Sequence, residues 1–183
     1  TDGGGDSTTS VWTSITYGNG KYVAVSSSDG ATASSADGTT WTRHDSAITF
    51  NPNYVAYGNN RFVAVAASDG EIAYSFDGIT WYTNSNTLAD ITGVAFAPTN
   101  IKYDNGIFFV VGTVGGLATT VAVTSEDGIQ WIERTMPSSK TWSALTYGNA
   151  KWFIKASAAD TGAVAIIGVG ARAKIRANIA VGS

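Results

Sequence analysis

"SSADGTTW", residues 34–41, returns as "YSFDGITW" at 74–81 and as "TSEDGIQW" at 124–131. A chain that spells Ser-x-Asp-Gly-x-x-Trp three times is repeating either a chemical site or a folding unit. The residue types favour the folding unit. An Asp side chain is short enough to accept hydrogen bonds from backbone N–H groups one or two residues further on. The Gly after it supplies a left-handed conformation, and the preceding Ser ties down the adjacent strand. A Trp three residues beyond the Gly is expected on the outgoing strand, filling the space between neighbouring sheets. Calcium needs several converging oxygen ligands, whereas each copy centres on a single Asp. Ser35, Asp37, Gly38 and Trp41 are therefore read as a turn clip with a packing wedge. Ser75, Asp77, Gly78 and Trp81 form the second copy, and Ser125, Asp127, Gly128 and Trp131 the third.

A second marker runs in phase with the first. "YGNGKYVAV" at Tyr17 becomes "YGNNRFVAV" at Tyr57, "YDNGIFFVV" at Tyr103 and "YGNAKWFIK" at Tyr147, at spacings of 40, 46 and 44 residues. Trp12 and Trp142 each precede their Tyr by five positions, and a fourth Asp-Gly-x-x-Trp is missing. In the first unit, Asn19-Gly20, Asp29-Gly30 and Asp37-Gly38 separate short segments near 13–17, 21–27, 31–35 and 40–44. Asn-Gly and Asp-Gly are strong hairpin signals. Segments such as "KYVAVSS" have the β-branched and aromatic content of strands. Four strands joined by tight turns make an antiparallel meander, and a meander every 40-odd residues is the signature of a β-propeller blade. We therefore expect an all-β, propeller-like array with blades near 11–50, 51–88 and 89–138 and a partial fourth near 139–162, either incomplete or completed by partner sequence, or closed into a small ring by the strand near Val11-Trp12 joining the last blade. The third unit carries insertions before its Tyr and at "GTVGGLATT". Turn signals leave no room for a long helix before residue 163.

Composition narrows the function classes. The 183 residues include no Cys and one His, so neither a disulfide nor a Cys/His zinc site is available. No apolar run approaches the roughly 20 residues of a membrane span. Net charge is −3; residues 1–150 hold six basic and thirteen acidic residues, while 151–183 hold five and one. That asymmetry is too mild for a nucleic-acid surface. "TDGGGDSTTS", residues 1–10, reads as a flexible Gly/Ser/Thr-rich segment without signal-peptide character. A start without Met and an abrupt end at Val181-Gly182-Ser183 lead us to expect a processed product or part of a longer chain. Residues 163–183 alternate cleanly late on, with Arg172, Lys174 and Arg176 on the polar side. They read as a cationic strand that joins a further domain or docks a partner.

The Asp-Gly-x-x-Trp motif resembles a shortened Asp-box, the repeat of sialidase-like β-propellers. Combined with the Tyr-Gly-Asn-Gly half, over roughly residues 11–157, it is similar to repeats in tail and baseplate proteins of tailed bacteriophages, cyanophages among them. The resemblance implies a non-enzymatic structural or adhesion module of a virion or extracellular surface. Its partners would be other virion proteins, further copies of itself, or a host-surface glycan. An alternative is a carbohydrate-binding module of a viral or bacterial surface protein, with Tyr82, Trp142 and Trp152 as stacking platforms. The sialidase family itself uses three Arg, a Tyr nucleophile with a Glu, and an Asp acid. Here Arg43, Arg61, Arg134, Arg172 and Arg176 are available, but Arg43 and Arg134 follow the motif Trp in different blades and so repeat the frame. The family's Arg-Ile-Pro motif is missing, and His44 follows a motif Trp at what reads as a surface position. No catalytic, cofactor or metal residues are expected.

Overall fold

In the computed structural model, residues 10–157 and 164–168 are described. They form four separate antiparallel sheets, each a simple meander. The first holds β1 (Trp12–Gly18), β2 (Lys21–Ser26), β3 (Thr32–Ser35) and β4 (Thr42–His44), close to the segments expected from the turns. The second holds β5 (Tyr54–Gly58), β6 (Arg61–Val65), β7 (Ile72–Ser75) and β8 (Tyr82–Thr83). After the short helix α1 (Leu88–Thr92), the third holds β9 (Phe96–Asp104), β10 (Ile107–Val114), β11 (Thr119–Ser125) and β12 (Ile132–Lys140). The fourth is three-stranded: β13 (Trp142–Gly148), β14 (Lys151–Ala156) and β15 (Val164–Gly168).

Local chemistry explains the repeated hairpin. Each first-to-second-strand connection has two central residues at positive φ: Asn19-Gly20, Asn59-Asn60, Asn105-Gly106 and Asn149-Ala150. Two successive left-handed residues form the turn whose twist matches that of the flanking strands, and Asn and Gly adopt it at least cost. The turn fixes the register, so Tyr17 faces Tyr22, Tyr57 faces Phe62, Tyr103 faces Phe108 and Tyr147 faces Trp152. In the first three hairpins the paired rings have centroids 4.7 Å apart.

The sheets stack in sequence, with first strands adjacent: β1 packs beside β5, β5 beside β9, and β9 beside β13. Side chains tie these inner strands together. Thr13 Oγ1 donates to the Asn53 carbonyl at 2.9 Å, and the Val55 N–H donates to Ser14 Oγ at 3.1 Å. Thr99 Oγ1 donates to the Trp142 carbonyl at 2.6 Å. Three apolar clusters fill the gaps between consecutive sheets. Val25, Val55 and Ala64 belong to the first gap, Val63, Ile72 and Phe108 to the second, and Phe109, Trp142 and Trp152 to the third. Comparable packing does not return from β13 to β1 among the described residues. The fan is open.

Three features differ from the sequence reading. The strand around Trp12 does not complete the last blade: β1 pairs with β2 in its own sheet. The segment 164–168, placed in the C-terminal junction, pairs with β14 as the third strand of the fourth blade. The helix α1 forms where Thr87 and Asp90 make a reciprocal capping box and Gly93 closes the C-terminus at φ 67°. Five residues are too few to show a helical period. The strand expected around Arg172, Lys174 and Arg176 lies outside the described residues, as does the segment 1–9.

Candidate functional site

The three motif copies fold into nearly identical clips. Asp37 Oδ1 accepts from the N–H groups of Thr39 and Thr40 at 2.8 and 2.7 Å. Asp77 does the same with Ile79 and Thr80 at 2.8 Å each. Asp127 accepts from Ile129 and Gln130 at 2.9 and 2.8 Å. Each Ser hydroxyl donates to its Asp at 3.0–3.1 Å and accepts the Gly N–H at 2.7–2.8 Å. The glycines sit at φ 76°, 75° and 72°, where an L side chain is strained.

This wiring favours the ionised carboxylate. The N–H groups of Thr40 and Thr39, with the Thr39 and Ser35 hydroxyls, hold Asp37 well below the usual carboxylate range. For Asp77, burial pushes the pKa up, but the N–H groups of Ile79 and Thr80 and the Ser75 hydroxyl more than offset it. Asp127 follows the same balance, with Gln130, Ile129 and Ser125 as donors and the Arg61 charge adding to the lowering. Each carboxylate is committed to its own turn on its own sheet. Among the described residues no group of three His, Asp or Glu side chains is placed to hold a metal ion.

The motif Trp residues sit one position before the outgoing strand rather than on it. Trp81 and Trp131 still act as wedges, each toward the preceding sheet. Trp131 is 8% exposed and packs in the gap between sheets two and three. Trp81 is half-buried against the cluster between sheets one and two. Trp41 has no preceding sheet among the described residues and is 39% exposed; its Nε1 donates to the Gly38 carbonyl at 3.2 Å.

Of the three aromatic residues read as glycan platforms, the structure leaves one accessible. Trp142 and Trp152 are buried, at 1% and 0% exposure, in the cluster between sheets three and four. Trp142 Nε1 donates to the Thr119 carbonyl at 3.1 Å. Both are core residues, and the stacking role is withdrawn for them. The reason is positional: Trp152 occupies the frame position of Tyr22, Phe62 and Phe108, and Trp142 has sheet three to cover it.

Tyr82 remains 49% exposed and does not stand alone. Its ring stacks on Tyr74, with centroids 5.5 Å apart and planes inclined by 26°. Phe76, 51% exposed, meets both rings edge-on. The Arg61 guanidinium carbon lies 5.2 Å from the Phe76 ring centre and 5.9 Å from that of Tyr74. The result is an outward aromatic shelf backed by a cation, the kind of surface that takes a flat apolar face. Tyr74 and Phe76 were missed from the sequence. A usable signal existed: at the equivalent positions the first blade has Ser34, Ala36 and Thr42, and the third has Thr124, Glu126 and Ile132. The shelf is where the second blade departs from its own repeat.

The remaining candidates do not converge. Arg43 bonds Asp29 at 3.0 Å and Asp45 at 2.6 Å in sheet one, whereas Arg134 donates to Thr124 at 2.9 Å in sheet three. His44 is half-buried rather than at the surface, and its Nε2 lies 2.9 Å from Ser34 Oγ on the neighbouring strand. Burial, followed by the Lys21 charge, lowers its pKa.

This geometry has parallels among solved structures. The chain superposes on the H270A virginiamycin B lyase from Staphylococcus aureus solved with quinupristin with a TM-score of 0.68, at 13% identity, over 85% of this chain and 52% of that one. The fold is that of a β-propeller module. A computationally designed protein, Ika4, aligns with a TM-score of 0.61 at 14% identity, over 90% of this chain and 95% of its own. YCF48 bound to D1 peptide aligns with a TM-score of 0.59 at 14% identity, over 85% and 48%. The module thus spans about half the length of the lyase and of YCF48. Neither a family model nor a curated protein matches the sequence.

Proposed function

We propose that this propeller module is a non-enzymatic assembly or attachment element of a bacteriophage tail or baseplate. The observation that carries the reading is the use of all three motif carboxylates as turn clips, each accepting two backbone N–H groups and a Ser hydroxyl on Oδ1. A repeat whose polar residues are spent on its own backbone is a frame, and the resemblance to phage tail repeats supplies the setting. Affinity purification of this chain from its native source, followed by mass spectrometry, tests it. Tail or baseplate proteins should accompany the chain in fixed ratio; recovery without any virion component would refute the assignment.

The Tyr82–Tyr74–Phe76 shelf favours a second reading, glycan attachment. Sugar rings present flat C–H faces that stack on exposed aromatics. Removing one such ring costs roughly 1 kcal/mol of contact energy, or several-fold to tenfold in affinity. Tyr82→Ala and Phe76→Ala should each weaken glycan-array binding by about that factor while leaving the melting temperature near that of the parent. Absence of binding by the parent at millimolar sugar would eliminate this reading.

A further inference from the structure

The first three blades join through three contacts that recur at both of their junctions, and the two ends of the fan carry the unmatched halves. First, a Tyr at the end of one blade's first strand covers a Gly in the preceding blade. Tyr57 covers Gly18, and Tyr103 covers Gly58, so closely that a Cβ on either glycine would overlap the ring. Second, the clip Gly rests on a side chain of the preceding blade's second strand: Gly78 on Val23, and Gly128 on Val63. Third, the hairpin Asn of one blade donates to the carbonyl just before the clip Asp of the next. Asn19 Nδ2 reaches the Phe76 carbonyl at 3.4 Å, and Asn59 Nδ2 reaches that of Glu126 at 3.1 Å.

The first blade presents the covering half, and among the described residues no preceding blade lies beneath it. Tyr17 is 58% exposed and Ile15 56%, although Val55, the counterpart of Ile15, is buried. Among the described residues, Gly38 faces Tyr22 of its own sheet and no preceding blade. The fourth blade presents the receiving half. Among the described residues nothing lies within 4 Å of where a Gly148 side chain would start, Asn149 holds the same left-handed conformation as Asn19 and Asn59, and Phe153 occupies the frame position of Val23 and Val63. The junction between the third and fourth blades differs, since Asp104 stands where the others have Gly.

We infer that this chain docks head-to-tail on a second copy of itself, with Tyr17 of one copy seated over Gly148 of the other. Asn149 then donates to the Ala36 carbonyl, and the exposed Ile15 and Trp41 are covered. The occupant is identified by continuity: a surface shaped like the fan's own internal interface fits the fan's other end. Two such contacts related by a two-fold axis close a ring and leave no free end.

The sequence lacks Cys, which permits a directional test. Tyr17→Cys and Gly148→Cys chains are prepared separately, then mixed and oxidised. The mixture should yield covalent dimers that neither chain yields alone. Sedimentation of the parent should show a reversible species of twice the 19.0 kDa chain mass. Tyr17→Ala and Gly148→Leu should each weaken that association at least tenfold with unchanged circular dichroism. A parent that stays monomeric at high micromolar concentration, open-ended polymers, or cross-linking equal in the unmixed chains would overturn the inference.

Discussion

Trp131→Ala is expected to destabilise the chain by about 3–5 kcal/mol, the loss found when a large aromatic is removed from a core that cannot collapse around the cavity. Trp131 lies in the gap between the second and third sheets, against Phe108 at a ring separation of 6.4 Å. Its removal deletes a wedge that two sheets share. The same substitution at the other motif positions should be graded by burial. Trp81→Ala, half-buried in the first gap, should cost about 2–3 kcal/mol, and Trp41→Ala, 39% exposed at the open end, about 1 kcal/mol. Urea unfolding of the three variants measures the series. Equal losses at Trp41 and Trp131 would contradict the view that each wedge acts on the sheet before it.

Gly58→Ala should be nearly as damaging for the opposite reason. A methyl group there would overlap the Tyr103 ring, and both the ring and the inner strand carrying it are held by neighbouring sheets. Overpacking of this kind costs about 1–3 kcal/mol, and more where backbone must move. Gly148→Ala, measured on dissociated chains at low concentration, provides the internal control, because among the described residues of one chain the same frame position in the fourth blade has open space. There the smaller entropy of the unfolded chain should leave stability equal to the parent or up to about 1 kcal/mol higher. Thermal melts of the pair distinguish a steric socket from a general intolerance of side chains in this strand. A Gly58→Ala variant as stable as Gly148→Ala would show that blade stacking does not depend on the socket.

The fold was legible because period and turn chemistry agree. The Asn-Gly and Asp-Gly turns mark the strand ends, and their recurrence marks the blades. What escaped was whatever depends on neighbours in space. The identity of Trp41 and Trp131 is the same, yet only Trp131 has a sheet to wedge against. Trp142 and Trp152 have the residue type of stacking platforms, but aligning Trp152 with Phe62 and Phe108 places it in the core. Conversely, Tyr74 and Phe76 carry no repeat signal, because Ser34 and Ala36 in the first blade and Thr124 and Glu126 in the third stand at the same positions. In a repeat protein, scaffold is written in the positions that recur, and a contact surface is better sought where one copy breaks the pattern. The helix α1 left no periodic trace, being a capping box and one turn.

The claim that the acidic motif is scaffold is tested most directly by thermal unfolding of the parent and of Asp127→Ala from pH 7 down to pH 2, in EDTA and in millimolar calcium. Asp37, Asp77 and Asp127 all have folded-state pKa values below the ordinary value. Their contribution is therefore fully present above the unfolded-state pKa of about 4, and is lost as pH falls through the lower folded values. At neutral pH the variant should be less stable by about 1–2 kcal/mol through lost turn hydrogen bonds. The gap should narrow below about pH 4, with identical curves in EDTA and calcium. A parent whose melting temperature drops in EDTA and recovers with calcium, or a variant that melts with the parent at pH 7, would contradict the account.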